Sequence, residues 1–482
     1  MAERAADRIR TYEKNPFYWQ YGNRPVLLLG ATDDENLFQR GRDEVIAQLD
    51  NLAAAGGNYD RCTMTGRPEL GFEVYPHKKL RDGKYDLGQW NDTYWSKLQA
   101  YLEACNERDI VVQLEIWPLD VGMEHYPYNP GNNVNLDESD TRYRYVPNIA
   151  AAKRLFYASI PELGGGEEKL LAYQKAFVDK VLSCAFSCDN ILYCVDNEFR
   201  YMQSCKWSMY WARYLKERAA ASGKQIEITE MNQSDWGVIH AVEQGRRLAR
   251  EDRRRLGGRK WGPSFNVNHR SVYDNPDVYS YVDFSDNANA AGQEHWDNLQ
   301  GVRDYVAAAP RPINHVKIYG ADFGPRWTTK EGVAKFWRNV FGGSASSRFH
   351  RPPYGLGQSE LALASIRGAR KVQQYLPPWE CEPRMDLLAR RSSDEAYAMA
   401  RKDRQALGVF IPGSVPANAW CRLKAPSGFY SARWLDVQSG EWTLEQAGIH
   451  CNGYRPVGEM VVSPPLGKRG ELGWVLVLVR ER

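Results

Sequence analysis

The apolar run Ile191-Leu192-Tyr193-Cys194-Val195 stops at three polar side chains, Asp196-Asn197-Glu198. Five apolar residues bounded by polar ones suit a strand buried on both faces. A buried strand that ends this way sets carboxylates at the rim of a sheet, where parallel α/β folds carry their active sites. Carboxylates at such a rim can give and take protons in a bond-breaking step. The alternative is that Asp196 and Glu198 only cap the helix that follows, and the segment alone does not decide between the two.

Other chemistries find fewer residues in suitable patterns. The eight histidines include no His-x-His and no His-Glu-x-x-His, so a catalytic metal is not expected. The nine cysteines are scattered without a Cys-x-x-Cys pair, which argues against a disulfide framework, although Cys381, Cys421 and Cys451 leave room for one bridge. A doubly wound open sheet is the alternative architecture, which lacks support because no Gly-x-Gly-x-x-Gly follows the first strand. No cofactor is expected.

The elements that must position Asn197 and Glu198 alternate along the chain. Strands are predicted at Pro25–Gly30, Asn58–Met64, Ile110–Trp117, Ile191–Val195, Gln225–Met231, Tyr279–Phe284 and Ile313–Tyr319, with a short eighth at Gly342–Ser346. Helical spacing falls between them at Asp43–Ala55, Tyr94–Asn106, Leu170–Leu182, His295–Ala308, Lys330–Phe341 and Leu361–Leu376. Eight strands alternating with helices predict a (β/α)8 TIM barrel within residues 1–377, preceded by an N-terminal lead-in. After Pro377-Pro378 helical periodicity nearly vanishes. Short alternating strands at Ala396–Ala400, Ala406–Ile411, Tyr430–Leu435 and Trp474–Val479 predict a small β-sandwich over residues 378–482.

The chain has 482 residues, 43% of them hydrophobic and 26% charged, which is ordinary for a globular protein of two or more domains. A net charge of +3 gives no reason to expect nucleic acid as a partner. No apolar run reaches the length of a membrane span, so no membrane partner is expected. Residues Met1 to Arg10 carry no signal-peptide core. The expectation is a cytoplasmic protein, or a mature or trimmed form of an exported one.

With the elements in order, several motifs converge on one family. Asn197-Glu198 at the fourth strand resembles the Asn-Glu pair of clan-A glycoside hydrolases, and Gly57-Asn58-x-x-Arg61 resembles the Gly-x-Asn-x-x-Arg pattern of that clan's second strand. Tyr85-Asp86-Leu87 before a Trp/Tyr-rich helix fits as well. Asn15-Pro16-x-Tyr18 and Pro25-Val26-x-Leu28-x-Gly30 resemble the opening of apiosidase-like glycoside hydrolases. Ala432-Arg433-Trp434-x-Asp436-x-x-x-Gly440 and Gly473 to Leu478 resemble their C-terminal β-domain. The resemblance covers nearly the whole chain and implies hydrolysis of O-glycosidic bonds in a plant, algal or microbial polysaccharide or oligosaccharide.

Glycoside hydrolysis needs two carboxyl groups flanking one bond. The resemblance makes Glu198 the acid/base, Asn197 the residue that holds a sugar 2-hydroxyl, and Arg61 the support beneath the second carboxylate. That carboxylate belongs on the seventh strand, where this chain offers Asp322 in place of the usual Glu. Asp322 also reads as a turn residue before Phe323-Gly324-Pro325, and Glu115, Glu230 and Asp286 stand at other predicted strand ends. Asp286-Asn287 occupies the place of the clan's usual aromatic or His on the sixth strand. Trp117, Tyr126, Tyr128, Trp236, Tyr319 and Trp327 follow strand ends, where an aromatic face can stack on a sugar ring, though each is as readable as packing. Asp33, Asp34 and Glu35 either bind sugar hydroxyls or cap a helix. The basic run Arg246 to Lys260 reads as a solvated helix face. A non-catalytic carbohydrate-binding barrel and a barrel hydrolase of another kind remain as alternatives.

Overall fold

Residue parity along the central strands decides which side chains reach the barrel interior, because strand side chains alternate between faces. Leu28, Tyr59, Val111, Leu192 and Cys194 belong to one apolar cluster with Trp19, Tyr281 and Val316. Leu29, Cys62, Val112, Leu114, Tyr193 and Val195 belong to another, which includes the surrounding helices. The computed structural model describes residues 8–67, 70–72, 74–139, 141–143, 152, 155–197, 204–231, 270–391, 393–413, 421–452, 457–465 and 470–481.

The barrel strands are β1 (Leu28–Ala31), β2 (Tyr59–Thr63), β3 (Val111–Trp117), β4 (Ile191–Asp196), β5 (Glu227–Thr229), β6 (Val282–Asp283), β7 (Ile313–Asn314) and β8 (Ser346–Phe349). Ladders β2–β3, β3–β4, β4–β5, β6–β7 and β8–β1 are parallel. Backbone hydrogen bonds Asn58 N to Leu29 O (2.9 Å), Ser280 N to Ile228 O (2.9 Å) and Ala345 N to Ile313 O (2.8 Å) bridge the remaining gaps, so the ring closes. A Cβ on Gly30 would lie 2.0 Å from the Tyr59 carbonyl oxygen, which is why β1 and β2 meet at a glycine.

Helices α1 (Arg42–Ala54), α2 (Asp92–Asn106), α3 (Glu168–Ala185), α4 (Cys205–Ala221), the single-turn α5 (Arg270–Asp274), α6 (Gly292–Tyr305), α7 (Thr329–Phe341) and α8 (Glu360–Gln373) alternate with the strands. Among the described residues, no helix is long and apolar enough to cross a membrane. Pro25 and Val26 belong to a three-stranded antiparallel lead-in sheet (Arg10–Thr11, Trp19–Tyr21, Arg24–Val26) rather than to the first barrel strand. Its Trp19 enters the barrel floor and starts a buried polar chain. Trp19 donates to Asn314 (2.9 Å), Asn314 to Tyr59 (3.1 Å), Tyr59 to Gln113 (2.8 Å) and Gln113 to Asp283 (2.6 Å). The chain satisfies polar groups that burial would otherwise penalise.

The eighth strand lies later than Gly342–Ser346. Gly342 caps α7, and Gly343 takes a positive φ of 79° to turn the chain. The strand itself carries Arg348, a charge unexpected in a buried run. Asp60 neutralises it at 3.0 Å, and Asp60 also accepts from Thr32 (2.7 Å) and Tyr101 (2.7 Å).

After the barrel come β9 (Cys381–Pro383), β10 (Leu388–Arg390), β11 (Tyr397–Arg401), β12 (Ala406–Pro412), β13 (Cys421–Pro426), β14 (Gly428–Asp436), β15 (Glu441–Cys451), β16 (Val457–Val462) and β17 (Gly473–Arg480). They form a six-stranded sheet, β9-β11-β12-β17-β14-β15, and a three-stranded sheet, β10-β13-β16. Parity again divides the work. Leu407, Val409, Ile411, Trp474, Leu476 and Leu478 share one cluster with Leu423 and Met460 of the smaller sheet. Tyr397, Met399, Phe410, Val475 and Val477 share the large cluster of the barrel helices. Phe410 lies 6.2 Å from the rings of both Trp337 and Phe341, and Tyr397 lies 4.8 Å from Trp296. The central strands β11, β12 and β17 are thus apolar on both faces, one toward the smaller sheet and one toward α6 and α7. Cys381 and Cys451 are free thiols.

Candidate active site

Period two carries the interior face of β2 from Tyr59 to Arg61 and that of β3 from Gln113 to Glu115. In the parallel ladder Arg61 pairs with Gln113 and Thr63 with Glu115, so Arg61 and Glu115 lie diagonally on neighbouring strands, and both are essentially unexposed. The Arg61 guanidinium grips Glu115 with two parallel bonds, Nε to Oε1 at 2.6 Å and Nη2 to Oε2 at 2.7 Å. Its Nη2 also donates to Asn197 Oδ1 at 2.8 Å, and its Nη1 to Glu35. Arg61 therefore joins the ends of β1, β2, β3 and β4. A planar fork of five donors is suited to such multiple engagement.

Asn197 is fixed on three sides. Its amide nitrogen donates to Thr65 Oγ1 (3.1 Å), its backbone nitrogen to the Trp117 carbonyl (3.1 Å), and its side-chain oxygen accepts from Arg61. Glu35 is ion-paired with Arg61 and Arg67, and Arg351 lies 3.4 Å from it. His350, at the end of β8, places Nδ1 4.0 Å from Glu35. Burial, then the neighbouring Arg61 and Lys317 charges, push His350 well below its usual range, so its ring is neutral. Burial raises the Glu115 carboxyl and Arg61 opposes that rise.

A second buried acid pair underlies β4 and β5. Asp196 accepts from Ser208 (2.8 Å) and the Met231 backbone nitrogen (3.1 Å). Glu230 accepts from Ser271 and from Tyr279 (3.1 Å). Burial, reinforced by the Asp196 charge, raises Glu230 strongly. Lys317, on the line of β7, is buried and lies 2.8 Å from Met231 Sδ.

The residues expected from sequence divide clearly. Arg61 and Asn197 meet. Glu198 and Trp236 lie outside the described residues, as does the basic run 246–260. Asp322 does not join the Arg61 group. It is exposed, and its two oxygens accept from the Thr329 backbone nitrogen and hydroxyl, each at 2.8 Å. Those two bonds hold its carboxyl below the usual range. Asp322 thus tethers the start of α7, as the turn reading implied, and is corrected as a partner for Arg61.

Trp117 is also corrected. Its ring is fully buried among Phe156, Phe177, Trp207 and Trp211, the last at 5.0 Å, and no face is open to a sugar. Tyr126 and Tyr128 are buried and stack on each other. Asn287 is buried and structural, donating to the His295 carbonyl (3.0 Å) and accepting from Asn298 (3.1 Å). Asp286 accepts from Asn289 in the same turn at 2.9 Å. Tyr319 packs edge-on to His350 at 5.1 Å and so borders the Arg61 group, while Trp327 lies farther along the β7 loop. Sequence reasoning placed Glu35 only as a sugar contact or cap. Its place in the acidic run Asp33-Asp34-Glu35, soon after a buried strand, was the available signal.

No protein-family model matches the chain, and no curated protein matches its sequence. Solved structures do match it. One described as a glycoside hydrolase superposes with a TM-score of 0.60 at 12% identity, covering 99% of this chain and 98% of its own. A glycoside hydrolase family 5 protein from Bacteroides vulgatus gives 0.61 at 13% identity, covering 99% and 93%. At these identities the likeness establishes the fold, a barrel followed by a β-domain along the full chain.

Proposed function

We propose that this protein is a glycoside hydrolase that cleaves O-glycosidic bonds of a polysaccharide or oligosaccharide. The observation that carries the reading is the buried Arg61 hub at the strand ends, which fixes Asn197 immediately before Glu198 and gathers Glu35 and Glu115 beside it. Mouths of such barrels hold catalytic groups contributed by several different strands.

In this reading Glu198 is the general acid. It donates its proton to the glycosidic oxygen as the bond from that oxygen to the anomeric carbon breaks. Asn197, immobilised by Thr65 and Arg61, orients a sugar hydroxyl rather than transferring a proton. With Asp322 turned away to Thr329, the second carboxylate is sought within the Arg61 group. Glu35 is favoured over Glu115. It sits on the loop after β1 beside Arg61, Arg67 and Arg351, whose positive charge stabilises a carboxylate. Glu115 is enclosed, with both oxygens taken by Arg61. If the second carboxylate bonds to the anomeric carbon, water then breaks that bond by attacking the same carbon while Glu198, deprotonated in the first step, takes the water's proton; if it does not bond, it takes the proton of the water that attacks the anomeric carbon as Glu198 protonates the leaving oxygen.

One observation favours a non-catalytic carbohydrate-binding barrel instead. The line of β7 brings the cation Lys317, not a carboxylate, into the interior. Release of reducing ends from a panel of plant and algal polysaccharides and aryl glycosides separates the two. Turnover abolished in Glu35→Gln supports the hydrolase assignment. Saturable binding with no turnover by the wild-type protein supports the binding barrel.

A further inference from the structure

Among the described residues, two aromatic side chains at the barrel mouth are open to solvent. Phe323, in the β7 loop, is 39% exposed, and Tyr354, in the β8 loop, is 46% exposed. They meet edge to face at 5.3 Å. Trp327 backs Phe323 in a nearly parallel stack, 4.8 Å away and tilted by 6°. The patch continues into the site. Phe323 contacts Tyr319 at 6.0 Å, and Tyr319 contacts His350 at 5.1 Å, beside Glu35.

The loop that presents Phe323 is held in an unfavourable shape. Ala321 and Asp322 are consecutive non-glycine residues at φ of 61° and 62°. Asp322 locks that shape. Its carboxylate holds Thr329 by two bonds, and its backbone nitrogen donates to the Trp327 carbonyl at 3.0 Å. Gly320 N donates to Tyr354 O at 2.8 Å and ties the β7 loop to the β8 loop. A strained, cross-tied loop that keeps an apolar ring in water spends stability on exposure. That arrangement suits a rigid binding surface, where little ordering remains to be done on binding.

We propose that Phe323 and Tyr354 form a sugar-stacking subsite outside the Arg61–Asn197 centre. The occupant is a further pyranose ring of a bound glycan, whose apolar C–H face matches an aromatic face. The substrate class is then a chain of sugars rather than a single-sugar glycoside. This rests on the carbohydrate-processing reading of the site. Asp322 acts as a positioning residue, through the rings it holds in place.

The test compares wild type, Phe323→Ala, Tyr354→Ala and Asp322→Ala for retardation in native gels containing galactomannan, xylan or laminarin, and for kcat/KM on the matching hexasaccharides. Wild type should be retarded by one of these polymers. The two aromatic variants should lose that retardation and lose about tenfold in hexasaccharide kcat/KM, chiefly through KM, which corresponds to about 1.4 kcal/mol. Asp322→Ala should show the same KM effect with no change in kcat. Unchanged retardation in Phe323→Ala and Tyr354→Ala overturns the subsite, and so does a wild type that dimerises through this patch. Retardation that depends on Phe323 without any turnover keeps the subsite and rejects the hydrolase. Turnover of aryl glycosides without retardation keeps the hydrolase and rejects the subsite.

Discussion

Replacing Arg61 by Met removes the centre of the ion network while keeping side-chain volume. Glu35 retains Arg67 and Arg351, so its loss is partial. Glu115 loses the partner of both its oxygens at zero exposure. Breaking one side of a buried pair costs about 3–5 kcal/mol, because an uncompensated charge remains. With an unfolding entropy of about 2.1 cal/mol/K per residue, that loss lowers Tm by about 3–5 °C for a chain of this length. Converting Glu115 to Leu in the same molecule removes the stranded charge. Arg61→Met/Glu115→Leu should therefore be at least about 2 kcal/mol more stable than the sum of the two single losses. Calorimetry and denaturant unfolding of all four proteins provide the cycle. The Arg61→Met deficit should also depend on pH. Without Arg61, burial raises the folded-state Glu115 carboxyl above its unfolded value, so its favourable contribution is present below about 4.5 and lost as pH rises. The deficit should thus grow from acid to neutral pH. Losses that add within about 0.5 kcal/mol would refute the reasoning.

Two further outcomes follow from other parts of the fold. Glu230 is raised in the folded state by burial and by Asp196, so the stability it contributes is present below its ordinary value of 4.5 and lost as pH rises toward and past neutrality; Glu230→Gln should lack that loss, and equal denaturant-midpoint differences from wild type at pH 5 and pH 8 would contradict this. Phe410 joins the six-stranded sheet to Trp337 and Phe341, so Phe410→Ala should cost about 3–5 kcal/mol in a cooperative transition of barrel and sheet together, and a variant in which only the C-terminal sheets melt early would show that they fold apart from the barrel.

How far the sequence reaches depends on how local the cause is. The strand β4 is legible because its apolar run ends at polar residues, and β3 because it is rich in Val, Leu and Ile. Arg61 and Asn197 are legible because their motifs sit on β2 and directly after β4. The β8 register is not, since Ser346-Ser347-Arg348 carries no apolar pattern and the Asp60 that neutralises Arg348 lies far away in the chain. Asp322 looks catalytic from its place after β7, but a left-handed φ and a bond to Thr329 turn it outward, and neither is written in composition. Glu35 and Glu115 become one site only when β1 and β3 close around Arg61. The smaller sheet escapes for a similar reason: β13 and β16 pair across distant sequence with mixed polar and apolar residues.

The most direct measurement is turnover by Glu198→Gln on two substrates, a natural oligosaccharide and an aryl glycoside with an activated leaving group. If Glu198 is the general acid, the variant keeps its fold and loses on the order of a hundredfold or more on the oligosaccharide. The loss on the aryl glycoside is smaller, because that leaving group departs without protonation. Wild-type turnover of the oligosaccharide by Glu198→Gln would contradict the assignment.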